Sequence, residues 1–256
     1  MNKLTKIGLT ALASTLVAGS VSAADLSVTG GAAITFGGGD DNKTTGNGWS
    51  MGDSVTFTAS GDVNDIGVTV SYEMDGAENT GGLDDHSITF DLGDAGTLVF
   101  AGHGGTGVLD AWDDVTPNAY EESWDIVSGA DANRTNGLTG NNSWGYTSPS
   151  MGGATFHASY FNNNTGNASV YTDFGIKVSP EAVEGLEVGY AWGTTEATAA
   201  TEIDDSTVYI KYAYGPVTVG YQESESDAPT ATDTDESEFF GITYAVTDSF
   251  SISLNL

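Results

Sequence analysis

A side-chain period of two runs through this chain almost from end to end, and it commits the chain to β-structure. Val68, Val70, Tyr72 and Met74 alternate with Thr69, Ser71 and Glu73. The same rhythm holds for Ala154, Phe156, Ala158 and Tyr160, for Leu186, Val188, Tyr190 and Trp192, and for Val208, Ile210, Tyr212 and Tyr214. It returns at the end in Phe250, Ile252, Leu254 and Leu256. Strands place successive side chains on opposite faces, so each segment has one apolar and one polar face. The charged residues Glu73, Asp91, Asp173, Lys177, Glu187 and Lys211 all fall on the polar face, and the apolar face of each strand is expected to carry no charge.

Two architectures share that alternation. In a soluble sandwich the apolar face is the core. In a membrane barrel it meets lipid and the polar face lines a wet lumen. Link lengths separate them. Short links at 62–66, 93–96, 149–153, 180–185, 214–217 and 247–249 alternate with long ones at 37–48, 75–85, 162–168, 194–205 and 223–236. Outer-membrane barrels have that order, with short periplasmic turns and long outer loops. All five prolines lie in links, where no ladder hydrogen bond is lost. No segment after the first 23 residues has 18 consecutive apolar residues, so membrane insertion requires a closed barrel. The expected fold is all-β, an up-and-down antiparallel transmembrane barrel. About 13 strands are expected, whereas bacterial barrels normally have an even number, so the sequence reads as a fragment lacking its last few strands or, alternatively, as a barrel of about 12 or 14 strands with an unusual end.

The first 23 residues read as a signal peptide: Lys3 and Lys6, an apolar or small stretch over 7–19, then Val21-Ser22-Ala23 as the cleavage site. Residues 24–256 then form the barrel. The formal charge is −30, and removing Lys3 and Lys6 takes it to −32. Only Lys43, Arg134, Lys177 and Lys211 remain as cations, which excludes nucleic acid as a partner. With no cysteine, disulfides and thiolate metal chemistry are excluded.

One loop breaks the rhythm. Between the turns at 93–96 and 149–153 the interval nearly doubles, and the excess lies at about 103–141. It holds Leu109, Trp112, Val115, Tyr120, Trp124, Ile126 and Val127, enough apolar surface to pack against something. Long loops of this kind are usually functional. Rooted at a barrel mouth, it would fold inward and narrow the pore, with its acids facing the lumen. The expected constriction set is Asp110, Asp113, Asp114, Glu121, Glu122 and Asp125, with Arg134 as the nearby counter-charge. Lys177 and Lys211 are expected in the lumen, paired with neighbouring carboxylates.

The stretches ADLSVTGGAAITFG (24–37), SVTFTASGDVNDIGVTVSYEM (54–74) and SITFDLGDAGTLVFAG (87–102), with the acidic loop after them, resemble the general porins of alphaproteobacteria. That resemblance implies a 16-stranded, homotrimeric outer-membrane barrel passing small polar solutes and ions by passive diffusion, with outer-membrane lipid around it. It also implies basic residues on the wall opposite the loop. Here the sequence departs, because its first five strands contain no Lys or Arg, and its last residue is not the terminal aromatic of the assembly signal.

Other chemistries find less support. No cofactor is expected. Calcium could bind clustered oxygens at Asp113 and Asp114, or at Asp233, Asp235 and Glu236, but neither has a calcium-loop spacing. An enzyme set in a barrel needs a base beside a nucleophile, and His86, His103 and His157 supply no recognisable pattern. A soluble secreted β-rich surface or adhesin protein would suit the Gly- and Asp-rich composition but not the strict alternation of links.

Overall fold

The computed structural model describes residues 25–36, 49–76, 82–119, 137–163, 169–196, 202–227 and 235–256. The first strands are β1 (Asp25–Phe36), β2 (Trp49–Val63), β3 (Ile66–Asp75), β4 (His86–Asp91) and β5 (Thr97–His103). The long loop contributes β6 (Gly105–Thr106), a short helix α1 (Val108–Ala111) and β7 (Thr139–Gly140). Then follow β8 (Ser143–Thr147), β9 (Ala154–Asn163), β10 (Ser169–Val178), β11 (Leu186–Glu196) and β12 (Glu202–Tyr214). The last are β13 (Val217–Asp227), β14 (Asp235–Thr247) and β15 (Phe250–Asn255). Apart from the small β6–β7 pair, all belong to one 13-stranded sheet in which each strand pairs antiparallel with its chain neighbours. This is the up-and-down barrel topology, with the expected 13 strands.

Register carries the alternation across the whole wall. Val178 pairs with Val188, which pairs with Ile210, then Tyr221, then Phe240. On the same face, Ile242 pairs with Leu254 and Tyr244 with Ile252. Tyr190 is 48 % exposed, Ile210 46 % and Ile252 52 %. An apolar face this wide and this open is suited to lipid, not to water. Aromatic contacts knit it together, including Phe100 with Trp144 at 4.9 Å and Tyr190 with Trp192 at 5.4 Å between ring centres.

Local chemistry sets the short turns. Asn64 and Asp65 both take positive φ, 52° and 64°, the two-residue turn that matches strand twist and that Asn and Asp tolerate. Gly215, at φ 57°, opens the equally tight link before Pro216.

One expectation is corrected. Residues 194–205 and 223–236 are not all loop, because β11, β12, β13 and β14 run on into them. In those extensions the outward face does carry charge: Glu223 pairs with Glu238 and Glu225 with Glu236, on the face of Tyr221 and Phe240. The need for apolar side chains ends with the hydrocarbon, whereas the backbone ladder can continue into water.

Candidate functional site

The long loop does fold inward over its described part. Its ends zip together where Gly105 pairs with Gly140 and Thr106 with Thr139, and the Gly107 N–H donates to the Leu138 carbonyl at 3.0 Å. From that root, α1 lies on the polar face of β9–β12. The buried cluster there comprises Val108, Leu109 and Trp112 of the loop with Ala191 and Tyr209 of the wall, and Val115 packs beside it. Trp112 meets Tyr209 edge-on at 5.6 Å and His157 at 5.4 Å. The apolar content of the loop is spent on the lumen wall.

Polar side chains of the wall pin the loop's backbone. Asp173 Oδ2 accepts the Leu109 N–H at 2.9 Å and the Tyr171 hydroxyl at 3.0 Å, and Oδ1 accepts from Ser159. A carboxylate at the first turn of a helix satisfies an otherwise orphaned donor. Further along, Gln222 accepts the Val115 N–H at 3.0 Å, and Asn255 Nδ2 donates to the Pro117 carbonyl at 3.0 Å.

Room for the loop comes from missing side chains. A methyl group on Gly175 would stand 2.7 Å from Val108 and 2.8 Å from Trp112. On Gly193 it would stand 2.9 Å from Leu109, and on Gly241 2.6 Å from the Pro117 carbonyl. On Gly220 it would collide with Pro117 itself. These glycines form a trough across β10, β11, β13 and β14, and the loop lies in it.

The predicted site residues separate into distinct roles. Asp110 lies in α1, and Asp113 and Asp114 in the turn that follows, all three half-buried. Asp114 lines a cavity of about 510 Å³ together with Glu187 and Lys211. Glu121, Glu122, Asp125 and Arg134 lie outside the described residues. Among the polar-face charges, Lys211 pairs with Glu187 at 3.0 Å and stands 5.5 Å from the centre of the Tyr209 ring. Lys177 is half-buried, in register with Gly189. Asp91 accepts the Gly93 N–H at 2.9 Å and, with Asp25 and Asp62, lines a cavity of about 340 Å³ beside the short turns. Asp173 is fully buried under the loop, not on an open lumen wall, because α1 covers it. Gln222, Asn255, Ser159 and the glycine trough were not anticipated. Lumen-face glycines on adjoining strands are a signal, but Gly31 and Gly52 share that face and a methyl group there would meet nothing within 4 Å.

Among the described residues, one group of three potential metal ligands lies close together, and it is not either of the expected ones. Glu73, Asp84 and Asp85 bring carboxylate oxygens within 4.8 Å of one another at the outer end of β3. Burial first, and then the charges of Asp84 and Glu73, push the Asp85 carboxyl above its usual value. Backbone hydrogen bonds from Glu73 N–H to Asp85 (2.7 Å) and from Asp84 N–H to Glu73 (3.1 Å) hold residues 82–85 as a strap against the end of β3. Of the second expected calcium cluster, Asp235 and Glu236 stand at the start of β14, whereas Asp233 lies outside the described residues.

Known protein structures share this fold. The chain superposes on the anion-selective porin from Comamonas acidovorans with a TM-score of 0.63 and 16 % identity, over 90 % of this chain and 78 % of that one. It also superposes on a loop L8 deletion mutant of OmpT, an outer membrane protein of Vibrio cholerae, with a TM-score of 0.51 and 12 % identity, over 91 % and 93 %. No curated protein sequence matches it. The model of the Gram-negative porin family matches residues 8–256, so this barrel with its inward-folded loop belongs to the Gram-negative porins.

Proposed function

We propose that this outer-membrane porin passes small hydrophilic solutes by passive diffusion with a preference for cations, and that Asp110, Asp113, Asp114, Glu121, Glu122 and Asp125 form its constriction, with Arg134 as counter-charge. One observation carries the reading: among the described residues the polar face holds only two cations, Lys177 and Lys211, and Lys211 is already paired with Glu187. Rings of carboxylates concentrate cations and repel anions where the pore is narrow. The Comamonas acidovorans porin is anion-selective on the same fold, so the fold leaves the sign of selectivity to the charges placed on it.

Several further features belong to the same reading. The chain is exported by a signal peptide cleaved after Ala23, and it assembles as a homotrimer surrounded by outer-membrane lipid. Glu73, Asp91, Lys177, Glu187 and Lys211 contribute to the field of the lumen.

Reversal potentials in planar bilayers under a KCl gradient test the central claim. A potential of the sign set by potassium supports it, and anion selectivity overturns it. Mass spectrometry of the mature protein tests for an N-terminus at Ala24. A detergent-resistant, heat-modifiable band on gels tests the trimer.

A further inference from the structure

The turn that carries Asp113 and Asp114 is gripped by one buried side chain of the barrel wall. Gln222, on β13, is fully buried. It sits in register between Tyr209 and Phe239, which are both buried as well, so water is kept from its amide. Its Oε1 accepts the Val115 N–H at 3.0 Å. Its Nε2 lies 2.6 Å from the Trp112 carbonyl, 3.0 Å from the Asp113 carbonyl and 3.0 Å from Thr207 Oγ1. Thr207 in turn donates to the Glu223 carbonyl at 3.2 Å and contacts Ser224 Oγ at 2.9 Å, which fixes the orientation of the amide.

We propose that Gln222 is the positioning residue of the constriction, holding the Asp113–Asp114 turn at a fixed distance from the wall. The proposal rests on the loop being the constriction, but not on the sign of its selectivity. The turn offers two carbonyl acceptors and one N–H donor within the breadth of a single side chain. A primary amide meets both demands at once. A carboxylate would set oxygen against the carbonyls of Trp112 and Asp113, and a methionine of equal length would meet neither demand. Each buried hydrogen bond lost shifts a docking equilibrium by roughly tenfold, so losing the grip frees the turn to move in the pore.

Around this amide, β12 presents Tyr209 in register and Lys211 one lumen row away, β14 presents Phe239, and the loop presents the backbone of Asp113. A glutamic acid at this place has the shape of glutamine. When protonated it has one donor and one acceptor, and when ionised it has only acceptors.

Single-channel recordings of the full-length porin in planar bilayers test the proposal with wild type, Gln222→Glu and Gln222→Met, at about pH 4 and about pH 8, on either side of the ordinary carboxyl range. Wild type should be quiet at both. Gln222→Glu should approach wild type at the acidic value and show severalfold greater open-channel noise at the alkaline one, reversibly on perfusion of the same membrane. Gln222→Met should be noisy at both. If Gln222→Met fails to insert, the reversible change in Gln222→Glu decides alone. A Gln222→Glu channel indistinguishable from wild type at both values overturns the proposal. Anion selectivity of the wild type would overturn the proposed function while leaving this noise pattern in place.

Discussion

Asp173 and Leu109 are 64 residues apart in the chain, yet Asp173 Oδ2 accepts the Leu109 N–H at 2.9 Å, so a wall strand caps the first turn of the loop's helix. The bond ties the loop to a strand built well after it, and its donor residue Leu109 belongs to the buried cluster with Val108, Trp112, Ala191 and Tyr209. The principal hydrophobic cluster among the described residues therefore lies inside the lumen, between loop and wall. Apolar burial brings the loop in, and buried polar contacts fix where it stops.

Replacing Asp173 by alanine leaves the donors on Leu109, Ser159 and Tyr171 without their acceptor. A hydrogen bond to a buried charged group contributes about 1.5–3 kcal/mol, so docking of α1 should weaken by at least that amount. Hydrogen exchange at the amides of 107–115 should accelerate by at least about tenfold. The thermal transition of the barrel, set by the strand ladder, should move little. Unchanged protection at Leu109 would show that the cap is not needed.

The trough makes a steric prediction. In Gly175→Val, the new side chain meets Val108 and Trp112, which a methyl group alone would approach to 2.7–2.8 Å. Overpacking of this kind costs about 1–3 kcal/mol, and here it can be relieved by lifting the loop. Tryptophan emission from Trp112 should shift toward that of a hydrated ring, and single-channel conductance should change. Gly31→Val, on the same face but facing open space, should leave conductance close to that of wild type.

Much of the barrel was legible in the sequence because the period of two is a one-dimensional record of a two-faced wall. Val208, Ile210 and Tyr212 could be assigned to one face without a structure. The inward turn of the loop was legible from Leu109, Trp112 and Val115, apolar residues in a link that otherwise had no reason to carry them. Its seat was not. Gly175 meets Val108, and Asp173 meets Leu109, only through a register that the sequence does not print. Asp173 alternates like any wet lumen residue, and only the loop lying above it makes it a buried cap. Glu223, Glu225 and Glu236 were misread as loop because strand pairing persists beyond the lipid, where side-chain alternation no longer signals it.

Asp85 gives a pH dependence. Its carboxyl is held above the ordinary range by burial and by Asp84 and Glu73, with His103 and His86 acting in the opposite sense. The folded strap therefore binds a proton more readily than the unfolded one. Its local stability should rise as pH falls through the raised value toward the ordinary 3.8. Hydrogen exchange of the Glu73 and Asp84 amides, corrected for intrinsic rates, should slow over that window. Asp85→Asn should abolish the trend. Protection that falls on acidification would contradict the assignment.

Neutralising Asp113, Asp114, Glu121 and Glu122 together, as Asp→Asn and Glu→Gln, removes four negative charges from the loop while preserving side-chain shape. The potassium-to-chloride permeability ratio should fall toward unity. The effect should depend on salt, because the Debye length shrinks from about 10 Å at 0.1 M to about 3 Å at 1 M. At low salt each carboxylate acts across much of the pore, whereas at high salt only ions passing beside it feel its field. The quadruple variant and wild type should therefore differ most in dilute KCl and converge in concentrated KCl. An equal difference at both concentrations would mean that the variant acts by changing the pore's width. A ratio unchanged at low salt would mean that selectivity is set elsewhere in the lumen, with Asp25, Asp62 and Asp91 beside the short turns as the next carboxylates to neutralise.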